Sequence, residues 1–143
     1  MLYSRRLGRR IVRVPSKTCL IVDDESSVRA YVKAILEPEQ FQTLEAEDGI
    51  AALRIVEKLG DLLDLIVSDI KMPGGDGVTV VSSVRELFPA LPIILVSGYA
   101  ELEPQRHPTT CFEFVQKPFR PATLLGAIEN ATRMMKLRMK RQL

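Results

Sequence analysis

One stretch constrains the fold more than any other: Asp64-Leu65-Ile66-Val67-Ser68-Asp69-Ile70-Lys71-Met72-Pro73-Gly74-Gly75-Asp76-Gly77. Leu65, Ile66 and Val67 form the kind of apolar run that fills a strand buried on both faces, in the middle of a parallel sheet. Pro73, Gly74 and Gly75 stop that strand and open a loop. Asp69 therefore falls where a buried strand gives way to a loop. In open α/β sheets ligands bind at this carboxyl edge. A carboxylate placed there is held rigidly yet stays reachable. Capping a turn is the simpler role for such an aspartate, but three further segments converge on the same edge.

Thr18-Cys19-Leu20-Ile21-Val22 reads as another buried strand and runs straight into Asp23-Asp24-Glu25. Val28, Tyr31, Val32, Ile35 and Leu36 then recur at helical spacing, with Ser26 or Ser27 near the start and Glu37-Pro38 at the end. Phe41 to Ala46 is a short strand nearer an edge of the sheet. Asp48 can cap the next helix, which uses Ala52, Leu53, Val56 and Leu59 and stops at Gly60. After the Asp69 loop, Asp76 can cap a helix containing Val78, Val81, Val84, Leu87 and Phe88. Its valines favour a strand locally, but the period fits a helix, and parallel strands need a crossover here. Leu91 to Val96 is the fourth strand, ending at Ser97-Gly98-Tyr99. Residues 100–110, with Pro104 and Pro108, predict at best a short, weakly held helix. Phe112 to Gln116 is the fifth strand, ending at Lys117-Pro118-Phe119. Pro121 suits the first turn of a last helix, with Leu124, Leu125, Ile128, Ala131 and Met135 facing inward.

This pattern is (βα)5. It implies an α/β domain with a doubly wound parallel sheet of flavodoxin-like type, strand order 2-1-3-4-5, helices on both faces, and a switch point between strands 1 and 3. Asp23, Asp24 and Asp69 then stand side by side on the carboxyl edge, with Ser97 and Lys117 completing the ring.

The chain of 143 residues is long enough for one such domain. No apolar run approaches the ~18 residues that span a bilayer, and the arginine-rich start lacks the apolar region of a secretory signal. Cys19 and Cys111 match no metal-binding or redox spacing and read as core thiols in the cytoplasm. The single His107 rules out a site built on Cys and His. The net charge of +2 hides a division. Eleven of the 20 basic residues lie in 1–17 and 133–143, which contain no acid. The middle holds the other nine against all 18 acids, a net of −9. Residues 1–16 read as a flexible basic arm, 17–137 as the folded domain and 138–143 as a basic tail. Such an arm either contacts a polyanion or is simply solvated, and five charges with a single aromatic, Tyr3, favour the second.

Three acids at the end of an apolar strand do not serve packing. Neighbouring carboxylates disfavour each other's ionisation unless a cation lies between them. Clustered carboxylates without histidine or cysteine suit a hard, oxygen-seeking cation, Mg²⁺ first and Mn²⁺ as an alternative. A lysine and a hydroxyl facing the same spot supply a point charge and a donor for a phosphoryl group. A carboxylate can itself be the nucleophile and become an acyl phosphate. The chemistry points to metal-assisted phosphoryl transfer onto Asp69.

At these residues the chain resembles the receiver domain of two-component response regulators. The matching pieces are Val22-Asp23-Asp24-Glu25, Ser68-Asp69-Ile70-Lys71-Met72-Pro73, Asp76-Gly77, Val96-Ser97-Gly98 and Lys117-Pro118-Phe119. They fall in order at strand ends across residues 17–137. The resemblance implies that Asp69 accepts phosphate from the phosphohistidine of a sensor histidine kinase or a histidine phosphotransfer protein. It implies that Asp24, Asp69 and the backbone carbonyl of Lys71 hold Mg²⁺, with Asp23 acting through water or as a further ligand. Ser97 and Lys117 contact the phosphoryl group, and Lys117-Pro118 is cis. Ser97 and Phe114 are the implied switch residues; Phe114 lacks a hydroxyl, so only burial can favour its inward state. Lys71 and Tyr99 occupy positions that tune phosphoryl lifetime in the family. Ser97 stands where threonine is commoner.

The few residues after Lys117 are taken up by the last helix, so no DNA-binding or enzymatic output domain is expected. The domain signals rather than catalyses for others; its expected partners are the phosphodonor, a downstream protein and, as an alternative, a second copy. Ser97-Gly98-Tyr99-Ala100-Glu101 and Gln116-Lys117-Pro118-Phe119 resemble receivers of hybrid histidine kinases. A haloacid-dehalogenase-like phosphatase also uses Asp, Mg²⁺, Ser/Thr and Lys. Its nucleophile ends the first strand as DxD with the paired acids later, the reverse of the order here. An unphosphorylated pseudo-receiver usually lacks an acid or the lysine; both are present. A flavodoxin-type electron carrier needs a Ser/Thr/Gly-rich phosphate loop after the first strand, which is absent.

Overall fold

In the computed structural model, residues 3–7, 10–14, 17–72, 77–98 and 113–141 are described. The first strands, β1 (Tyr3–Leu7) and β2 (Arg10–Val14), pair antiparallel, with Tyr3 opposite Val14 and Leu7 opposite Arg10. The expected arm without regular structure is thus replaced by a hairpin. Backbone pairing forms here despite the missing alternation.

The remaining strands are β3 (Lys17–Val22), β4 (Phe41–Ala46), β5 (Leu65–Asp69), β6 (Ile93–Ser97) and β7 (Glu113–Gln116). They form one parallel sheet in the order β4-β3-β5-β6-β7, which is the expected 2-1-3-4-5. Every residue of β5 and β6 is buried, as a run covered on both faces requires. β4 lies at one edge, as its mixed pattern predicts.

Among the described residues four α-helices alternate with these strands: α1 (Ser26–Leu36), α2 (Gly49–Leu59), α3 (Gly77–Leu87) and α4 (Pro121–Arg141). The strand residues sort onto two faces by their period of two. Cys19, Ile21, Val67, Ile94 and Val96 pack with Val32, Leu36, Leu124 and Ile128 of α1 and α4. Leu20, Val22, Ile66 and Leu95 pack with Ala52, Val56, Val81 and Val84 of α2 and α3. Each fully buried large aliphatic contributes about 1.5–3 kcal/mol relative to exposure, so both helical layers are firmly seated.

The valine-rich segment is helical because Val80, Val81 and Val84 share a buried face. Leu87, expected inward, is exposed, and Phe88 packs in its place. Asp48 caps α2, accepting the Ala51 N–H at 2.7 Å. At the start of α1 the capping position is Glu25, without a side-chain cap, rather than Ser26 or Ser27. Tyr31, expected in the core, is 41% exposed. Helix α4 continues to Arg141, so the basic tail is largely helical. Cys19 is buried in β3, and its thiol is pushed up by that burial. The expectations for Asp76, Tyr99, His107, Cys111, Phe112 and the helix over 100–110 lie outside the described residues, as does the side chain of Val78.

Candidate phosphoacceptor site

β3, β5, β6 and β7 all end at one edge, and each delivers a predicted residue there. Asp23 and Asp24 follow β3, and the Asp23 N–H still donates to the Ala46 carbonyl of the neighbouring strand at 3.1 Å. Asp69 is the last residue of β5 and Ser97 the last of β6. Lys117 follows β7, with its N–H donating to the Ser97 carbonyl at 2.7 Å and its bond to Pro118 cis, as the resemblance implied. The strand ladders thus carry the backbone into the site before any side chain acts.

Asp23, Asp69 and Ser97 are buried, whereas Asp24 is exposed. One oxygen from each of Asp23, Asp24 and Asp69 lies within 4.8 Å of the others. The Lys117 ammonium reaches between two of them, with Nζ 3.0 Å from Asp23 Oδ2 and 3.4 Å from Asp69 Oδ2. The remaining oxygens are held by backbone: Asp23 Oδ1 accepts the Glu25 N–H at 2.9 Å, and Asp69 Oδ1 accepts the Ile70 N–H at 2.7 Å. Burial pushes the Asp69 carboxyl above its ordinary value. The Lys117 charge opposes that push, the Asp23 charge adds to it, and the Ile70 N–H also opposes it. For Lys117, burial works against the ammonium, yet the hydrogen bond and charge of Asp23, and then Asp69, raise it overall.

All the clustered donors are carboxylate oxygens, so the residues fit a hard divalent ion rather than zinc or copper. Lys71 lies just beyond β5 and is exposed. Phe114 is half-buried in β7 and packs against the α2/α3 layer, opposite Leu95. Sequence reasoning brought Asp23, Asp24, Asp69, Ser97 and Lys117 to this edge, and the structure places all five there.

It missed three hydrogen bonds and one ring contact around the rim. Arg29 of α1 donates to the Asp23 carbonyl at 2.7 Å and to Glu45 Oε1 at 3.0 Å. The Tyr31 hydroxyl donates to the Phe119 carbonyl at 2.8 Å, and the two rings meet at 5.5 Å and 52°. The only hint in the sequence was the polar end of a tyrosine assigned to an apolar face.

Residues 19–129 match the family model described as the response regulator receiver domain. The chain belongs to that family. The receiver is 41% identical over 106 residues to the sensor kinase CckA of Brucella abortus, covering 73% of this chain and 11% of the relative. It is 36% identical over 110 residues to chemotaxis protein CheY-3 of Vibrio cholerae, covering 73% of this chain and 83% of that protein. Sporulation initiation phosphotransferase F of Bacillus subtilis is 33% identical over 84 residues, 59% of this chain and 66% of the relative. The receiver therefore spans about a tenth of the first of these relatives and just under two thirds of the last. Among solved structures, the receiver domain from hybrid histidine kinase CckA is similar with a TM-score of 0.68 and 31% identity, covering 80% of this chain and 98% of that one. Among the described residues, no helix is long and apolar enough to cross a membrane.

Proposed function

We propose that this receiver takes a phosphoryl group onto Asp69 from the phosphohistidine of a histidine kinase or histidine phosphotransfer protein, in the cytoplasm, and reports it to a downstream protein by a change of shape. The observation that carries this reading is the Lys117 ammonium set between two buried carboxylates while a third, Asp24, stays open to solvent. In this mechanism an Asp69 carboxylate oxygen attacks phosphorus, the phosphorus–nitrogen bond breaks, and the imidazole departs with the electron pair. Asp24, Asp69 and the Lys71 carbonyl would hold Mg²⁺, with Asp23 beside them; when bound, the ion neutralises the acids and the incoming phosphoryl oxygens. Lys117 follows the charge as it moves to the phosphoryl group, and the Ser97 hydroxyl donates to a phosphoryl oxygen. Phe114 then fills the space that Ser97 leaves. Lys71 and Tyr99 set how fast water removes the group.

Incubation with acetyl phosphate and Mg²⁺ tests the reading by intact-mass spectrometry. Wild type gains one phosphoryl group and Asp69→Asn gains none. Equal labelling of both places the acceptor elsewhere.

A further inference from the structure

Helix α1 sends two side chains to two different walls of the acid pocket. Residues 29 and 31 lie about 200° apart around a helix, so the helix reaches to both sides at once. On one side the Arg29 guanidinium, 16% exposed, binds the Asp23 carbonyl and the Glu45 carboxylate. On the other, the Tyr31 hydroxyl binds the Phe119 carbonyl, and its ring rests against Phe119.

Both carbonyls lie beyond their strand ladders. The N–H of Asp23 still bonds to β4, and the N–H of Lys117 still bonds to β6. Past those bonds, sheet pairing fixes neither the Asp23-Asp24 turn nor the Lys117-Pro118-Phe119 turn. We infer that Arg29 and Tyr31 are positioning residues: Arg29 fixes the acids, Tyr31 fixes the lysine, and α1 sets the distance between them.

This rests on the phosphoacceptor reading for its catalytic consequence but not for its structural one. A hydrogen bond from a charged guanidinium to a carbonyl is among the stronger kinds. A tyrosine that leaves much of its ring in water yet ties its hydroxyl across the fold serves the contact rather than the core. Misplacement of a reacting group by ~1 Å can cost on the order of 100-fold in rate, so partial loosening by loss of one hydrogen bond predicts about tenfold.

The two anchors act on different parameters, which separates positioning from general weakening. Tyr31→Phe removes only the hydroxyl. It lowers the rate of acetyl-phosphate labelling at saturating Mg²⁺ by about tenfold and leaves Mg²⁺ affinity unchanged. Arg29→Gln weakens Mg²⁺ binding, measured by calorimetry, more than it slows labelling at saturating Mg²⁺. Amide hydrogen exchange supplies a readout without phosphate: Tyr31→Phe speeds exchange at Lys117, and Arg29→Gln speeds it at Asp23 and Glu25. Arg29→Lys, which keeps the charge and one donor, restores part of the loss and serves if Arg29→Gln folds poorly. Wild-type labelling and exchange in Tyr31→Phe overturn the inference, as do equal losses of both parameters in both variants. If wild type takes no label while the exchange changes appear as stated, the phosphoacceptor reading fails and the brace stands.

Discussion

Asp69 is held in a place that resists its charge. Burial pushes its carboxyl up, and Lys117 only partly offsets this. The folded chain therefore binds that proton more tightly than the unfolded chain does. The stability this group allows is highest in acid and falls as pH rises from the ordinary carboxylate range through the raised value. Asp69→Asn escapes that loss, so its advantage over wild type in urea midpoint grows as pH rises from the ordinary carboxylate range through the raised value. A constant gap across that range contradicts the account. Lys117 behaves in the opposite sense. Its ammonium is held above the usual lysine range by Asp23 and Asp69, against the cost of burial. Its contribution is complete below the ordinary lysine value and is lost as pH climbs through the raised one. Lys117→Met leaves Asp23 and Asp69 facing each other without a cation. At neutral pH it costs about 1–3 kcal/mol, reduced from a fully buried pair because the side chain is 21% exposed. Denaturant titration measures it. Every one of these residues was legible in the sequence, because each is a polar group set against an apolar strand. Arg29 and Tyr31 were not, because a single charge or phenol on a helix reports nothing about which carbonyl it will meet.

Element boundaries followed local chemistry where that chemistry was specific. Asp48 before a glycine and an apolar period predicts a capped helix, and the cap is made. Asp48→Ala should cost about 1 kcal/mol, read from thermal or urea unfolding. Gly60 ends the same helix with φ of 53°, a conformation that favours glycine. Helix α3 shows the opposite case. Its valines prefer a strand, and only the need to cross over the sheet and bury Val80, Val81 and Val84 makes it helical. Periodicity alone put Leu87 in the core, but the helix ends at that residue and the side chain projects into water. The hairpin of β1 and β2 was missed because arginines interrupt its alternation, while pairing depends on the backbone.

At the scale of the whole molecule, the domain has two chemically different edges. The carboxyl edge gathers Asp23, Asp24 and Asp69. The amino edge carries a cavity of about 950 Å³ where Lys17, Arg133, Lys136 and Lys140 line the wall with Glu39, Asp64 and Glu129. Lys17 at the start of β3 and basic residues of α4, more than a hundred residues apart in sequence, thus meet opposite the carboxyl-edge acids. Because the acids repel one another across a buried cleft, a cation that binds only the folded state must stabilise the entire domain. Mg²⁺ at about a hundred times its dissociation constant should add about 2.7 kcal/mol and raise the melting temperature in a concentration-dependent way. Asp24→Asn should blunt that rise with little effect on stability without the ion, since Asp24 is exposed. A melting temperature indifferent to Mg²⁺ contradicts the metal assignment.

By itself the sequence determined the layer architecture, the strand order and the five groups at the site. Burial of alternating apolar runs admits few arrangements, and polar residues at strand ends have one edge to occupy. Only the tertiary structure decided which carboxylate Lys117 would pair with more closely and which helix would brace the rim. It also decided that Lys17 would meet the basic residues of α4. Those outcomes depend on distances between segments far apart in the chain, and such distances are set by packing rather than by any local preference.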